Sequence, residues 1–219
     1  MSSLLTLAAC NSNNKQSQQD TTATSTEQGN EKPQKTVLFF GDSLTAGYGL
    51  DDPASDAFPS VIREEIKKTQ LPYNVVNAGN SGETSAGGLG RIDWVLKQKV
   101  DVFILELGAN DGLRGIAVSE TTRNLQDIID RVKAKYPQAK IVLTGMQIPP
   151  SMGATYAQDF KNMFPKLAKK NNVTLVPFLL DKVGGISKLN QADGIHPTKE
   201  GAKIVADNVW SVLKNILKS

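Results

Sequence analysis

Short apolar runs alternate with amphipathic segments from Thr36 to the C-terminus, and this alternation is the strongest constraint on the fold. The apolar runs predict five strands, at residues 37–40, 75–76, 102–105, 141–143 and 175–176. Apolar residues at helical spacing predict helices between the strands, and Pro197 is expected to open a last helix. Because the strands are apolar throughout, they predict a parallel sheet covered by helices on both faces. The expected fold class is α/β, a three-layer α/β/α sandwich.

The composition changes abruptly at Thr36, and this change sets the expected domain boundary. Residues 11–35 are dominated by Asn, Gln, Ser and Thr and contain almost nothing apolar. Such a segment cannot bury enough surface to offset the entropy lost on ordering, so we predict a disordered polar tether there. The chain is 39% hydrophobic, and residues 36–219 are long enough for one well-cored domain.

The only cysteine, Cys10, ends the sequence Leu7-Ala8-Ala9-Cys10, which is similar to a bacterial lipobox. Residues 1–10 are therefore predicted to be a signal and lipobox remnant of an exported protein, lipidated at Cys10. The alternative is a stray cysteine in a disordered leader. Residues 1–9 carry no Lys or Arg and are shorter than a usual signal sequence, which predicts a truncated or misassigned start. No run approaches the roughly 20 apolar residues that span a bilayer, so we expect membrane attachment only through this lipid.

The charge pattern and the short motifs narrow the classes of partner. The net charge is +3, with acidic and basic residues interspersed and no Lys/Arg block, which argues against a nucleic-acid partner. The chain has one histidine, no second cysteine and no H-E-x-x-H pattern, so no metal site is expected. It also lacks G-x-x-x-x-G-K-[ST], and its first loop lacks G-x-G-x-x-G. We therefore predict a small-molecule substrate and no cofactor.

In a parallel α/β sheet, the loops after the strands gather at one edge, where such folds bind ligands. Ser43, in Gly41-Asp42-Ser43-Leu44, follows the first strand; it is either a nucleophile or, like Asp42, a cap of the next helix. The loop at residues 77–85 contains glycines such as Gly82, which let backbone N–H groups approach a ligand. Asn110 follows the third strand within an Asn-Asp-Gly sequence, which is also common turn chemistry.

The only histidine, His196, lies in the sequence Asp193-Gly194-Ile195-His196-Pro197. A lone histidine is more often a surface or core residue than a catalyst. Here, however, Asp193 precedes it by three positions, and this spacing lets the carboxylate accept a hydrogen bond from one ring nitrogen while the other faces outward. A carboxylate in that position fixes the tautomer and stabilises the imidazolium, so the pair is suited to general-base catalysis.

Taken together, four segments resemble the motifs of the SGNH/GDSL hydrolase family, and they occur in the family's order. They are Gly41-Asp42-Ser43-Leu44, the loop ending in Gly82, Gly108-x-Asn110-Asp111 and Asp193-x-x-His196. Residues 42–49, 106–115 and 164–168 are similar to one branch of the family, the bacterial arylesterase and thioesterase I/lysophospholipase L1 type. The likeness extends from about Thr36 to the C-terminal helix.

The resemblance implies a role for each matching residue. Ser43 would be the nucleophile, His196 its general base and Asp193 the residue that orients His196. The oxyanion hole would consist of the backbone N–H groups of Ser43 and Gly82 and the side-chain amide of Asn110. The family's fold, a flavodoxin-like five-stranded parallel sheet, agrees with the fold predicted from the apolar runs.

The expected activity is that of a serine hydrolase that cleaves carboxylic esters through an acyl-enzyme. Its substrates would be aryl or short to medium acyl esters, together with thioesters and lysophospholipids. The alternative within hydrolases is a carbohydrate O-acetyl esterase. Outside catalysis, the alternatives are a nucleotide-binding module and a surface lipoprotein that acts as a binding module. The acyl preference would depend on loops such as residues 148–156, whose prolines predict a mobile, partly apolar rim.

Overall fold

The computed structural model describes Met1 and residues 34–218, and in this part of the chain five parallel strands form one sheet. The strands are β1 (Lys35–Gly41), β2 (Tyr73–Gly79), β3 (Val102–Glu106), β4 (Lys140–Thr144) and β5 (Thr174–Val176). Their order is β2-β1-β3-β4-β5, so the chain first adds β2 on one side of β1 and then crosses to β3 on the other. Ligands of open α/β sheets bind where the strand order reverses in this way, here beyond the ends of β1 and β3.

The helices complete three layers. They are α1 (Ser43–Ala46), α2 (Pro53–Asp56), α3 (Phe58–Lys68), α4 (Ser85–Val95), α5 (Ala109–Leu113), α6 (Val118–Lys135), α7 (Ala154–Asn171) and α8 (Lys199–Leu217). Helix α3 packs against α8, and α6 packs against both α4 and α7, so that each group covers one face of the sheet. The predicted three-layer α/β/α sandwich with a five-stranded parallel sheet is confirmed.

The two interior strands that lead to the reversal point are the most deeply buried part of the sheet. In β1, Val37, Leu38, Phe39 and Phe40 are fully buried, and all five residues of β3 are buried as well. Truncating one such phenylalanine to alanine typically costs about 3–5 kcal/mol. The end of β1, where the nucleophile candidate stands, is therefore fixed by the core of the domain.

All five strands extend past their predicted bounds, and two boundaries differ for a clear physical reason. Strand β2 is longer than the apolar pair at 75–76 because backbone pairing with β1 continues from Tyr73 to Gly79, through the exposed polar residues Asn74 and Asn77 at this edge of the sheet. Helix α8 does not open at Pro197, which instead forms an antiparallel bridge with Asn190. The helix begins at Lys199, and the Thr198 side chain caps it by accepting a hydrogen bond from the backbone N–H of Gly201.

Residues 11–33 of the predicted tether and the predicted lipidation site, Cys10, lie outside the described residues. The last tether position, Lys35, is described and is the first residue of β1, so the predicted domain boundary at Thr36 was one residue late. Within residues 34–218, no helix combines the length and the apolar character needed to cross a membrane.

Candidate active site

The predicted functional segments meet at the edge of the sheet where the strands end. Ser43 follows β1, Gly82 lies in the loop after β2, and Asn110 lies in α5 just after β3. His196 reaches the same edge from the loop that precedes α8. All four residues line one pocket, and Ser43 and His196 are in direct contact although 153 positions separate them in the chain.

A single short turn of helix presents Ser43. Asp42 caps α1 by accepting a hydrogen bond from the backbone N–H of Leu44 at 3.0 Å, and Ser43 is the first helical residue. The helix ends after four residues because Gly47 adopts a left-handed φ of 79°. Asp42 is thus the capping residue, and the hydroxyl of Ser43, a residue only 8% exposed, is left to face the pocket.

An unbroken chain of hydrogen bonds joins Ser43, His196 and Asp193. The Ser43 Oγ lies 2.8 Å from His196 Nε2, and His196 Nδ1 lies 2.7 Å from Asp193 Oδ2. Because an ionised carboxylate can only accept, Nδ1 carries the hydrogen and Nε2 is left to accept from the Ser43 hydroxyl. This tautomer is the one that a general base for the serine requires.

Local hydrogen bonds shape the loop that carries His196. The second carboxylate oxygen of Asp193, Oδ1, accepts from the backbone N–H groups of Ile195 and His196, each at 3.0 Å. The backbone N–H of Gln191 donates to the carbonyl of His196 at 2.7 Å and closes the loop. Partial burial works to raise the pKa of Asp193, but the hydrogen bonds from the backbone and ring of His196 and from Ile195 outweigh it and lower the pKa to about 2. Asp193 is therefore a carboxylate at any physiological pH.

Two backbone N–H groups are available at the pocket. Within the described residues, neither Ser43 nor Gly82 donates its backbone N–H to a protein acceptor. Gly82 has a φ of 78°, a conformation that glycine adopts readily, and a Cβ added there would meet nothing within 4 Å. The glycine is therefore required by the backbone conformation of this loop and not by crowding.

The side chain of Asn110, unlike these backbone groups, already donates hydrogen bonds to protein acceptors. Its Nδ2 donates to the Asp42 Oδ2 and to the Glu83 carbonyl, each at 3.1 Å. Both hydrogens of the amide already have protein acceptors, so the amide is firmly oriented. A ligand atom could receive a hydrogen bond from Asn110 only by sharing one of these hydrogens.

Sequence reasoning missed a buried acid that supports the site. Glu106, the last residue of β3, is 1% exposed, and its Oε2 accepts hydrogen bonds from the backbone N–H of Asp42 at 3.1 Å and the Thr45 hydroxyl at 2.8 Å. Burial raises the pKa of Asp42 to about 6, and burial together with the Asp42 charge raises the pKa of Glu106 well above its ordinary value. A charged residue closing an otherwise apolar strand was the available signal.

An ion pair that the sequence also did not reveal holds the second loop. The Nε of Arg91 in α4 donates to both carboxylate oxygens of Glu83, at 2.7 and 2.8 Å. Its Nη2 also donates to the carbonyl of Ala78 at 2.8 Å, at the end of β2. The Glu83 side chain is 4% exposed, so this pair is largely shielded from water. It attaches the Gly82 loop to the sheet.

The pocket beside Ser43 has a volume of about 530 Å³ and a largely apolar wall. Its apolar lining comes from the following residues: Leu44, Leu113, Met146, Ile148, Phe178, Leu180 and Ile195. Pro149 and Pro150 of the predicted rim segment also line it. Farther along this segment, the Tyr156 hydroxyl donates to the Ile116 carbonyl at 2.6 Å and ties the start of α7 to the loop after α5.

Metal-binding side chains are not clustered in the part of the chain that the structure describes. No three His, Cys, Asp or Glu residues there are close enough together to hold a metal ion.

The chain is similar in sequence and in structure to known proteins. Residues 39–204 match the family described as GDSL-like Lipase/Acylhydrolase. Esterase TesA of Pseudomonas aeruginosa is 39% identical over 184 residues, which cover 84% of this chain and 90% of that protein. Thioesterase 1/protease 1/lysophospholipase L1 of Escherichia coli strain K12 is 40% identical over 173 residues, covering 78% and 80% of the two chains. The crystal structure of psychrotrophic esterase EstA from Pseudoalteromonas sp., inhibited by monoethylphosphonate, has a TM-score of 0.78 and 32% identity, and the match covers 84% of this chain and 100% of that one.

Proposed function

The chain belongs to the GDSL-like lipase/acylhydrolase family and hydrolyses carboxylic esters, and from this premise we propose that Ser43, His196 and Asp193 are its catalytic triad. The family and the activity predicted from the four motifs are confirmed. The observation that carries the proposed roles is the continuous hydrogen-bonded path from Ser43 Oγ through both ring nitrogens of His196 to Asp193.

The reaction proceeds in two steps through a covalent acyl-enzyme. His196 Nε2 removes the proton of the Ser43 hydroxyl as Oγ attacks the ester carbonyl, and the resulting imidazolium is stabilised by Asp193. The imidazolium then protonates the leaving alcohol, and the carbon–oxygen bond of the ester breaks. In the second step, His196 activates a water molecule that cleaves the acyl-enzyme and regenerates Ser43.

We assign the oxyanion hole to the backbone N–H groups of Ser43 and Gly82 and to the Asn110 amide. The two backbone donors have no competing acceptor among the described residues. Asn110 Nδ2, which already donates to Asp42 and Glu83, contributes by sharing a hydrogen in a three-centred bond. Donors held in place before the reaction stabilise the developing charge without reorganisation at that moment.

The pocket favours an acyl chain over a purely polar substituent. A volume of about 530 Å³ falls within the range of small-molecule sites, and its wall is mainly aliphatic and aromatic. Each methylene that the wall removes from water contributes about 0.8 kcal/mol, or roughly fourfold in kcat/KM. We therefore propose aryl and short to medium acyl esters as substrates. The thioesters and lysophospholipids in the name of the Escherichia coli relative are further candidates.

A carbohydrate O-acetyl esterase is the alternative, and the pocket disfavours it. An acetyl group would leave most of the apolar wall uncovered, and such a substrate would gain little from residues such as Ile148 and Phe178. In the first function the acyl chain of the substrate supplies the binding energy, and in the second the sugar supplies it.

A panel of initial rates distinguishes these functions. The full chain is assayed with p-nitrophenyl esters of increasing acyl length, an acyl-CoA, a lysophospholipid and an acetylated sugar. We expect kcat/KM to rise with acyl length until the pocket is filled and then to level off. A preference for the acetylated sugar, with no gain from longer acyl chains, would establish the alternative. Ser43→Ala is the blank for every substrate.

We also propose that the chain is exported and anchored by a lipid on Cys10. The proposal rests on the sequence Leu7-Ala8-Ala9-Cys10 and on the polar composition of residues 11–35. Metabolic labelling with a radioactive fatty acid in a bacterial host tests it. Labelled protein in the membrane fraction is the expected result, and Cys10→Ser should abolish the label. Equal labelling of the variant would contradict the assignment.

A further inference from the structure

Two carboxyl groups are buried directly behind the nucleophile, and the proposed reaction uses neither of them. Asp42 is 0% exposed and Glu106 is 1% exposed. Among the described residues, no Lys or Arg forms an ion pair with either one; the nearby Arg91 is paired with Glu83. Two buried, uncompensated negative charges would be very costly, so the pair must hold a proton.

The hydrogen bonds show how this pair is connected to the site. Glu106 receives the backbone N–H of Asp42 and the hydroxyl of Thr45, both from the turn that presents the nucleophile. Asp42 in turn receives the N–H of Leu44 and, through Oδ2, the Asn110 amide. The path therefore runs from the end of β3, through the nucleophile turn, to the side chain assigned to the oxyanion hole.

The first glycine of the nucleophile motif is explained by the same pair. A Cβ on Gly41 would collide with the Thr45 hydroxyl, the Glu106 carboxyl and the Glu106 carbonyl oxygen. Glycine at this position leaves the space that the carboxyl of Glu106 occupies. The turn from Gly41 to Thr45 is thus built around a buried acid that belongs to the neighbouring strand.

We propose that Glu106 is a positioning residue of the hydrolase that acts in its uncharged form. Protonated, Glu106 fastens the nucleophile turn to β3 and leaves the single negative charge of the pair on Asp42. The Asp42 carboxylate then orients the Asn110 amide, and it attracts the positive charge that His196 gains during the reaction. Ionised Glu106 would add a second negative charge behind the site where the oxyanion forms. The inference rests on the proposed roles of Ser43 and Asn110.

The pKa directions agree with this division of the charge. Burial raises the pKa of both acids, and the neighbouring Asp42 charge raises that of Glu106 further, well above its ordinary value. The ionisable groups that face the pair are His196 across Ser43 and Arg91 from α4, whose Nη2 reaches the Gly41 carbonyl at 3.3 Å. As the pH rises through the pKa of Glu106, activity should fall. In this pH range the folded state binds more protons than the unfolded state, so stability should also fall.

Two substitutions at one position test the proposal. Glu106→Gln keeps an acceptor for Thr45 and the Asp42 N–H, supplies a donor for Asp42 and cannot ionise. We expect its kcat at pH 7 to stay within about threefold of the wild-type value, because an amide replaces a neutral acid of similar shape. Glu106→Ala removes the support, and we expect kcat to fall about a hundredfold with little change in KM. The alkaline loss of activity should be present in the wild type and absent in Glu106→Gln.

Infrared spectroscopy tests the protonation of Glu106 directly, without relying on activity or on the folding of Glu106→Ala. The infrared spectrum of the wild type at neutral pH should contain the C=O band of a protonated carboxylic acid that disappears in Glu106→Gln. If Glu106→Gln loses as much kcat as Glu106→Ala, or if the acid band is absent, the uncharged role is overturned. If both variants keep full activity, the proposed positioning role of Glu106 is overturned. Activity retained by Ser43→Ala would instead overturn the proposed function and is measured separately.

Discussion

The segment around Ser43 and residues 190–197 are called the nucleophile side and the base side of the site, after their proposed roles, and they are held by different kinds of structure. Ser43 follows β1, whose residues 37–41 are buried between two neighbouring strands, and its neighbour Asp42 is 0% exposed. His196 and Asp193 lie in a loop without helix or strand, and the Asp193 side chain is 37% exposed. The first side is positioned by the core of the domain, whereas the second is positioned by the local hydrogen bonds of residues 190–197.

This difference predicts how substitutions on the two sides will behave. Changes in the base loop should lower activity with little effect on stability, because few buried contacts depend on the loop. Changes behind Ser43 should affect both activity and stability, because the same hydrogen bonds fix the proposed oxyanion donors and satisfy the buried acids Asp42 and Glu106. Activity and thermal stability measured together on each variant therefore test the comparison.

The largest effect is expected for Ser43→Ala, which removes the proposed nucleophile itself. We expect kcat for p-nitrophenyl esters to fall on the order of a millionfold, as when the nucleophile of a serine protease is removed. Stability should change by less than about 1 kcal/mol, since only a hydroxyl is lost. Ser81→Ala, at another serine that lines the same pocket, is the matched control and should stay active. Substantial turnover by purified Ser43→Ala would rule out its role.

The next largest effect is expected for Asp193→Asn on the base side. The amide keeps an acceptor for the backbone N–H groups of Ile195 and His196 but presents a donor to Nδ1, which favours the wrong tautomer of His196. We expect kcat to fall by about 10⁴ while the melting temperature hardly changes. Exposed Asp181, which forms no ion pair in the described residues, supplies the control Asp181→Asn. A loss below about tenfold would mean that Asp193 does not set the tautomer.

A smaller loss of activity, now joined by a loss of stability, is expected for Asn110→Ala. Removing one oxyanion donor typically costs about 10²–10³ in kcat with KM little changed. Asp42 also loses one of its hydrogen bonds, at a cost of roughly 1–3 kcal/mol to folding. Asn110→Leu keeps roughly the size of the side chain without its donor and adds no charge beside Asp42, so it should show the same kcat defect. An effect confined to KM would mean that Asn110 only binds substrate.

The same contrast explains which parts of the molecule could be predicted from sequence. The apolar runs of β1 and β3 predicted the strands because both faces of these strands are buried. Ser43 and His196 were proposed from local motifs, which do not depend on how the strands pair. The extent of β2 was missed because pairing at a sheet edge does not require apolar side chains. Glu106 was missed because its importance depends on which residues of β1 lie beside it. That information arises only when the two strands pair.

The smallest effect is expected for Gln191→Ala, which weakens the link between the two sides. The Gln191 Nε2 donates to the Tyr48 carbonyl, just after α1, at 2.8 Å and to the Pro197 carbonyl, just after His196, at 3.0 Å. It is therefore a direct bridge from the nucleophile segment to the base loop. Without the Gln191 side chain, residues 190–197 should be able to shift relative to Ser43, while the nucleophile side and the base side each keep their own structure. Because small misplacements of reacting groups lower rates, we expect kcat to fall about tenfold.

Two further variants show whether this effect comes from the bridge. Gln191→Glu keeps the length of the side chain but has no amide donor, so it should behave like Gln191→Ala. Gln147→Ala removes a glutamine that also lines the pocket but has no hydrogen bond to the base loop among the described residues, and it should retain the wild-type kcat. If Gln191→Ala is fully active, the internal hydrogen bonds of residues 190–197 suffice to place His196. The two sides of the site would then be positioned independently of each other.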